Sequence, residues 1–377
     1  VDFTFTEEQQ AAAEAARGVF AGVAPDAVPS PALTPGAVAD TFDRPLWHRL
    51  ADADLLSLLL TQEYGGAGLD AVALCLVLRE SAKVLARVPL LESCAATAAV
   101  QAYGGPELKA GLLARAGRGE VVLTVAAHGR TGHDGAELAV AARQEGSGWV
   151  LDGVQTAVPW AYDADLVLVP ARTAADRTVL APVPRDAEGV SLAEQFSTSG
   201  ERLGELRLES VRLAARDVID AEGAWEWLRE LLATGTCALA LGLGERVLGM
   251  TSEYASKREQ FGHPIATFQA VAVQSADRYI DLRAMEATLW QAAWRIASGA
   301  PGALPASGDV AVAKIWASEG VRRIVQTAQH LHGGFGADVD YPLHRYHAWA
   351  KHLELALGPA AAHEEALGDL LAAHPLA

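Results

Sequence analysis

Apolar and polar residues alternate in three successive rhythms along this chain of 377 residues. From residue 1 to about 118 the rhythm is helical. TEEQQAAAEAARGVF opens on Thr6, a capping residue, with Glu7, Glu8 and Gln9 in the first turn, where acidic groups suit the positive end of a helix dipole. A proline-rich interval, 24–38, reads as a loop. Helical spacing returns at DRPLWHRLADADLLSLLL (43–60) and DAVALCLVLRESAKVLARV (70–88). From about 119, short β-branched runs take over: VVLTVAAH, WVLDGVQTAV, ADLVLVPA and TVLAPVP, set apart by Gly, Asp and Pro. LGELRLESVRL alternates as a half-buried strand does. From 219 the helices return and lengthen. The run 224–260 holds no proline, and 268–299 sets Phe268, Val271, Ala272, Tyr279 and Ile280 on one face. A third helix, 309–334, ends on a glycine pair, a common C-terminal stop. The pattern predicts an α+β multidomain chain: an N-terminal all-α domain (1–118), a small, mostly antiparallel β-domain (119–218) and a C-terminal four-helix bundle (219–377). Helices so long and apolar must bury more than one stripe, so the outer faces of the bundle are expected to meet other subunits.

Composition narrows the partners. With 51% hydrophobic residues the chain can bury a large core, and its net charge of −17 repels phosphate backbones, which argues against nucleic acid. Cys75, Cys94 and Cys237 lie far apart, offering neither a disulfide framework nor a CxxC clip. The acidic opening lacks the basic flank of a signal peptide, and runs such as CALALGLG are too short and broken to span a bilayer. The expectation is a cytoplasmic protein with no membrane contact.

Familiar catalytic motifs are missing from the sequence. YGGAGLD and HGGFGADVD lack the third glycine of a dinucleotide fingerprint, and there is no P-loop, GxSxG or HExxH. Histidines 330, 332, 344, 347 and 352 match no zinc spacing, so no metal site is assigned. Two constellations remain. In Arg258-Glu259-Gln260-Phe261-Gly262 a guanidinium suits a diphosphate, a phenylalanine an aromatic ring, and glycine a close backbone approach. The same residues also read as a helix end whose Lys257 and Arg258 offset the dipole. In HLHGGFG (330–336) the paired glycines either free backbone N–H groups for a polar ligand or merely stop a helix.

Taken together the pieces resemble the acyl-CoA dehydrogenase family over nearly the whole chain. FTEEQ, EYGGAG (63–68), YxxxRxQFGxPIxxFQxV from Tyr254 to Val271, and HGGFGADVDYPLHRYHAWAK (332–351) stand in family order. The resemblance implies the same helix–β–helix plan and FAD as cofactor. It also implies oxidation of an acyl-CoA thioester at Cα–Cβ, a carboxylate taking the α-proton while the flavin takes the β-hydride. By resemblance Arg258 reaches across a dimer interface to the diphosphate of a neighbour's FAD. Gln260, Phe261 and Gln269 would lie against that cofactor, Gly333 and Gly334 would join them, and His330 stands where the family usually has glutamine. An electron-transfer flavoprotein is the usual electron acceptor.

The departures carry as much. The family keeps its glutamate in one of two places, which fall here on Leu232 and on Leu357, before Gly358-Pro359. Leucine accepts no proton, so no catalytic residue is assigned to this chain. Glu230 lies about 200° around the helix from Leu232, and Glu354 reaches the second place only by a shift of register. LTVAAHGRTGHDG (123–135) lacks the family's acid–proline, and Val158-Pro159-Trp160 replaces its aromatic-Ile-Thr stretch. That asymmetry resembles the non-catalytic small subunit of actinobacterial α2β2 enzymes that dehydrogenate steroid side-chain CoA thioesters in cholesterol β-oxidation. The likeness spans TFDRPLWHRLADADLLS, VPLLESCAA, EYASKREQFGHPIATFQAV and YPLHRYHAWAKHLELALG. It implies a heterotetramer with a homologous catalytic subunit, this chain being inactive alone. Two alternatives stand beside it: a self-sufficient homo-oligomer using Glu354 or Glu230 as base, and a flavin-free scaffold.

Overall fold

The computed structural model describes residues 4–28, 34–39, 41–129 and 139–375. Parts of two sequence expectations, 29–33 of the proline-rich interval and 130–135 of the stretch lacking acid–proline, lie outside the described residues.

The N-terminal part is built of α1 (Glu7–Phe20), α2 (Arg44–Asp52), α3 (Ala71–Lys83), α4 (Leu90–Tyr103) and α5 (Pro106–Gly117). Thr6 caps α1 as its sequence foretells. Its hydroxyl accepts the Gln9 N–H at 3.2 Å, and the Gln9 side chain accepts the Thr6 N–H at 3.0 Å. The Gln9 amide then donates to Asp70, whose carboxylate caps α3 by accepting the Ala73 N–H at 3.1 Å, so two helix starts are tied together. The helix expected over 43–60 stops at Asp52. Asp54 turns the chain through φ 57°, and Leu55, Leu56, Leu58, Leu59 and Leu60 are buried in irregular backbone. An apolar run buried on every side carries no period, which is why it passed for helix. The EYGGAG loop closes over it. A Cβ on Gly66 would overlap the Ser57 and Leu60 carbonyls, so only glycine fits.

Among the described residues the central sheet has seven strands: β1 (Leu123–Val125), β2 (Val140–Glu145), β3 (Gly148–Pro159), β4 (Leu166–Thr173), β5 (Thr178–Pro184), β6 (Val190–Phe196) and β7 (Arg202–Ala214). Their order is β1-β4-β2-β3-β7-β6, with β5 on the other edge of β4. β1 and β2 run parallel to β4, and the other pairs are antiparallel. The sequence did not announce β2 or β6. Both are largely exposed, so their faces carry too few apolar residues to show a period of two.

The C-terminal part holds α6 (Ala224–Lys257), α7 (Gln269–Ser298), α8 (Ala306–His332), α9 (Leu343–Leu355) and α10 (Ala360–Ala373). Three long helices pack on one another, and the two short ones lie against α8, which makes the C-terminal helical domain that the sequence predicts. α6 ends at Lys257, short of the full proline-free run. It is the one helix among the described residues long and apolar enough to cross a bilayer, and most of it is buried in the core. A Cβ on Gly242 would overlap the Arg79 carbonyl, which lets α6 press against α3. Helices of both ends share one hydrophobic core, from Leu46 and Leu74 to Leu241 and Tyr346, while the sheet has its own around Leu151, Val169 and Leu206. All three parts meet at Arg345 of α9, which is 1% exposed. It donates to Asp26 at 2.6 and 3.1 Å and to the Ser199 carbonyl at 2.9 Å. Arg87 pairs alongside with Glu201 at 2.6 Å.

Candidate functional site

At the end of α6 the chain leaves the helix at Arg258 and makes a short hairpin, Glu259–Gln260 (β8) against His263–Pro264 (β9). Phe261 (φ 53°) and Gly262 (φ 80°) form its turn, the both-positive geometry that suits tight hairpins. Phenylalanine is a strained occupant of such a position. Here its ring is 91% exposed, touching only the edge of Phe268 at 6.3 Å between centroids. Lys257 pairs with Glu253 at 2.5 Å, whereas the exposed Arg258 guanidinium has no partner among the described residues. A structural strain, an exposed ring and an unpaired cation thus coincide within four residues.

The second motif lies beside the first. Gly333 caps α8 at φ 60°, and its N–H donates back to the Gln329 and His330 carbonyls. That N–H is therefore committed within the helix end. The Tyr254 ring stacks on His332 at 4.3 Å and on Phe335 at 5.6 Å, fastening the end of α6 to the end of α8. His332 Nδ1 faces the Ala328 carbonyl at 2.8 Å and so carries the hydrogen, leaving Nε2 to accept from the Tyr341 hydroxyl at 3.2 Å. Burial pulls the His332 pKa down, which keeps the ring neutral in its stack. Arg258, Gln260, Phe261, Gln269, His330, Gly333 and Gly334 are all exposed.

The chain has a separate cavity of about 170 Å³ between α4, α6, the end of α9 and the sheet. None of those seven residues lines it. Leu232 of α6 and Leu357, in the turn after α9, both do. Neither alternative glutamate reaches it. Glu230 lies near Tyr103, whose pKa is raised by burial and then by that carboxylate, and the Glu354 carboxylate is held by Lys351 at 2.7 Å. The turn bearing Leu357 (φ 57°) is pinned by buried Lys314, whose ammonium donates to Ser318 Oγ at 2.8 Å, to the Leu353 and Glu354 carbonyls at 3.2 Å, and to the Gly358 carbonyl at 3.0 Å. Burial pulls Lys314 down to about 8, still mostly charged at neutral pH. On the sheet side Trp160 (φ 56°) fills the wall, with the Arg87 guanidinium 5.5 Å from its ring and Phe42 at its edge.

Sequence reasoning missed one carboxyl on this wall, Glu92 of α4. Burial pushes its carboxyl up to about 7. The available signal was a lone carboxylate within VPLLESCAATAAV, where nearly every neighbour is apolar.

Profiles of known families match two stretches: the acyl-CoA dehydrogenase N-terminal domain over residues 6–120 and the acyl-CoA dehydrogenase C-terminal domain over 230–371. Acyl-CoA dehydrogenase FadE27 of Mycobacterium tuberculosis is 39% identical over 339 residues, 89% of this chain and 90% of its own. The crystal structure of the ChsE4-ChsE5 complex from Mycobacterium tuberculosis contains a chain 36% identical, with a TM-score of 0.90 and 100% of each chain covered. A chain of the Tcur3481-Tcur3483 steroid ACAD, solved as a variant, is likewise 36% identical, with a TM-score of 0.88, over 97% of this chain and 98% of that one.

Proposed function

The chain belongs to the acyl-CoA dehydrogenase family, whose members bind FAD, and we propose that within it this chain completes the FAD site of a homologous catalytic partner. One observation carries the reading: the seven residues matching the family's flavin contacts are exposed, and none lines the chain's own cavity. They fit a cofactor held by a neighbour. Arg258 offers an unpaired planar fork of donors suited to a diphosphate, and Phe261 offers a bare ring face suited to stacking. The chain's own cavity fits a flavin less well. Apolar cavities of about 150 Å³ hold a single six-membered ring, whereas a flavin has three fused rings.

When bound, the flavin supplies the acceptor for the β-hydride of an acyl-CoA thioester. This chain's part is to bind and orient. The hairpin fixes Arg258 and Phe261 at the edge of the bundle, and the Tyr254–His332–Phe335 stack holds His330, Gly333 and Gly334 beside them. On this reading the α-proton passes to a carboxylate of the partner, since leucines occupy both family positions here and neither Glu230 nor Glu354 lines the cavity. Likeness to the two solved complexes favours an α2β2 assembly acting on steroid side-chain CoA thioesters, with an electron-transfer flavoprotein as the electron acceptor. An apolar face of α7, with Val273, Tyr279 and Ile280 each more than half exposed, supports a covering subunit. It also speaks against a flavin-free scaffold, which needs neither a strained Phe261 nor an unpaired Arg258.

The test is the visible flavin spectrum of the chain purified alone and with its partner. A colourless chain alone, and FAD in proportion to the partner chain in the complex, is expected. Full flavin occupancy of the chain alone overturns the reading.

A further inference from the structure

Trp160 is the first residue after β3, and it takes a left-handed backbone, φ 56°, on the wall of the cavity. That conformation crowds the Cβ of any bulky side chain, and indole is the bulkiest. The fold nevertheless holds it there from two sides. The Trp160 carbonyl accepts the Asp163 and Ala164 N–H groups, both at 2.9 Å, which fixes the turn toward β4. The ring lies 5.5 Å from the Arg87 guanidinium, itself paired with Glu201 at 2.6 Å, and meets Phe42 edge-on at 6.1 Å. The N-terminal part and the sheet thus converge on one strained indole. Strain kept up by its surroundings at a cavity wall points to a side chain whose position is functional.

The backbone beside it is equally closed. Ala157 (φ 51°) and Pro159 line the same wall. The Ala157 N–H donates to Gln195 Oε1 at 2.8 Å, an amide that reaches over β7 from the edge strand β6 and holds the Thr156 hydroxyl as well. Pro159 has no N–H to give. The polar edge of a flavin carries ring nitrogens and carbonyl oxygens, which lose water here and find neither of these residues ready to donate. Its three fused rings also need room, and the indole stands beside a space of only about 170 Å³. On the reading that this chain serves a partner's FAD, we infer that Trp160 is the plug that denies the chain a flavin of its own. A flavin admitted here would face Leu232 and Leu357 and find no base.

Lumiflavin, the bare tricyclic ring, is the probe, because it needs no diphosphate contact from a second subunit. Its fluorescence is followed on titration with the full chain alone, as wild type, Trp160→Gly and Trp160→Asn. Both replacements suit a positive φ and so keep the turn, and melting curves check that each variant is folded. The variants are expected to bind lumiflavin about ten- to a hundredfold tighter than wild type, the worth of burying one aromatic ring. Folded variants that bind no tighter than wild type overturn the inference. So does a wild type that binds lumiflavin and loses it in the variants, which would make the indole a stacking platform. FAD content keeps the two readings apart. A wild-type chain that carries full FAD alone overturns the partner-serving reading, whereas a flavin-free wild type with unresponsive variants overturns only the plug.

Discussion

Leu232, in the long helix α6, and Leu357, in the turn after α9, line one and the same cavity. The two places where a family member keeps its base thus converge on a single space, and in this chain aliphatic side chains fill both. Leu357 occupies its place with a left-handed backbone, and the Leu353, Glu354 and Gly358 carbonyls on either side of it all face the Lys314 ammonium.

Leu232→Ala is expected to cost the chain about 2–5 kcal/mol of stability, since a buried leucine leaves a cavity, while turnover per assembled complex stays within about twofold. Chemical denaturation and steady-state kinetics on the complex check the two halves. A large loss of turnover in a fully assembled complex would place the reaction at this cavity.

Arg258→Ala is expected to leave the stability of the isolated chain unchanged within about 0.5 kcal/mol, because the side chain is exposed and unpaired. In the complex, loss of charged hydrogen bonds to a diphosphate should weaken FAD retention roughly ten- to a hundredfold. Flavin release on dilution measures it. Arg258→Lys should recover only part, since an ammonium lacks the planar fork.

Glu92 gives a pH signature. Its folded-state pKa, about 7, stands above the ordinary 4.5, so the folded chain prefers the proton. The associated stability is fully present below pH 4.5 and is lost as pH rises to about 7, by about 3 kcal/mol in all. Glu92→Gln removes that loss. Denaturation curves from acid to mildly alkaline pH should show the variant matching wild type in acid and exceeding it above neutrality, and a gap independent of pH would refute the burial argument.

Arg345→Met is expected to destabilise the chain by about 3–5 kcal/mol, because Asp26 loses its main cation and Glu201 a neighbouring one, both while buried. Adding Asp26→Asn should restore part of the loss, because the buried charge goes with it. Non-additivity in that double-mutant cycle distinguishes charge pairing from simple loss of packing.

What was legible in the sequence follows from which forces leave a local trace. The Thr6–Gln9 cap is written in adjacent residues, and strand β7 alternates strongly enough to read. The run 55–60 was unreadable because tertiary burial, not local period, decides its course. At the site, the glycines, Arg258 and Phe261 were visible as a motif, but whether they face the chain's own cavity is a matter of topology. Glu92 went unnoticed because α4 is apolar on all sides, so no face marks where the cavity will be.

The bare Phe261 ring and the exposed α7 residues Val273, Tyr279 and Ile280 have a consequence for the cell as well as for the complex. A copy made without its partner displays that surface to every other orphan copy and to the machinery that disposes of sticky proteins. On the proposed reading, surplus synthesis is then wasted, and the amount of this chain that survives is set by how much of the other is made.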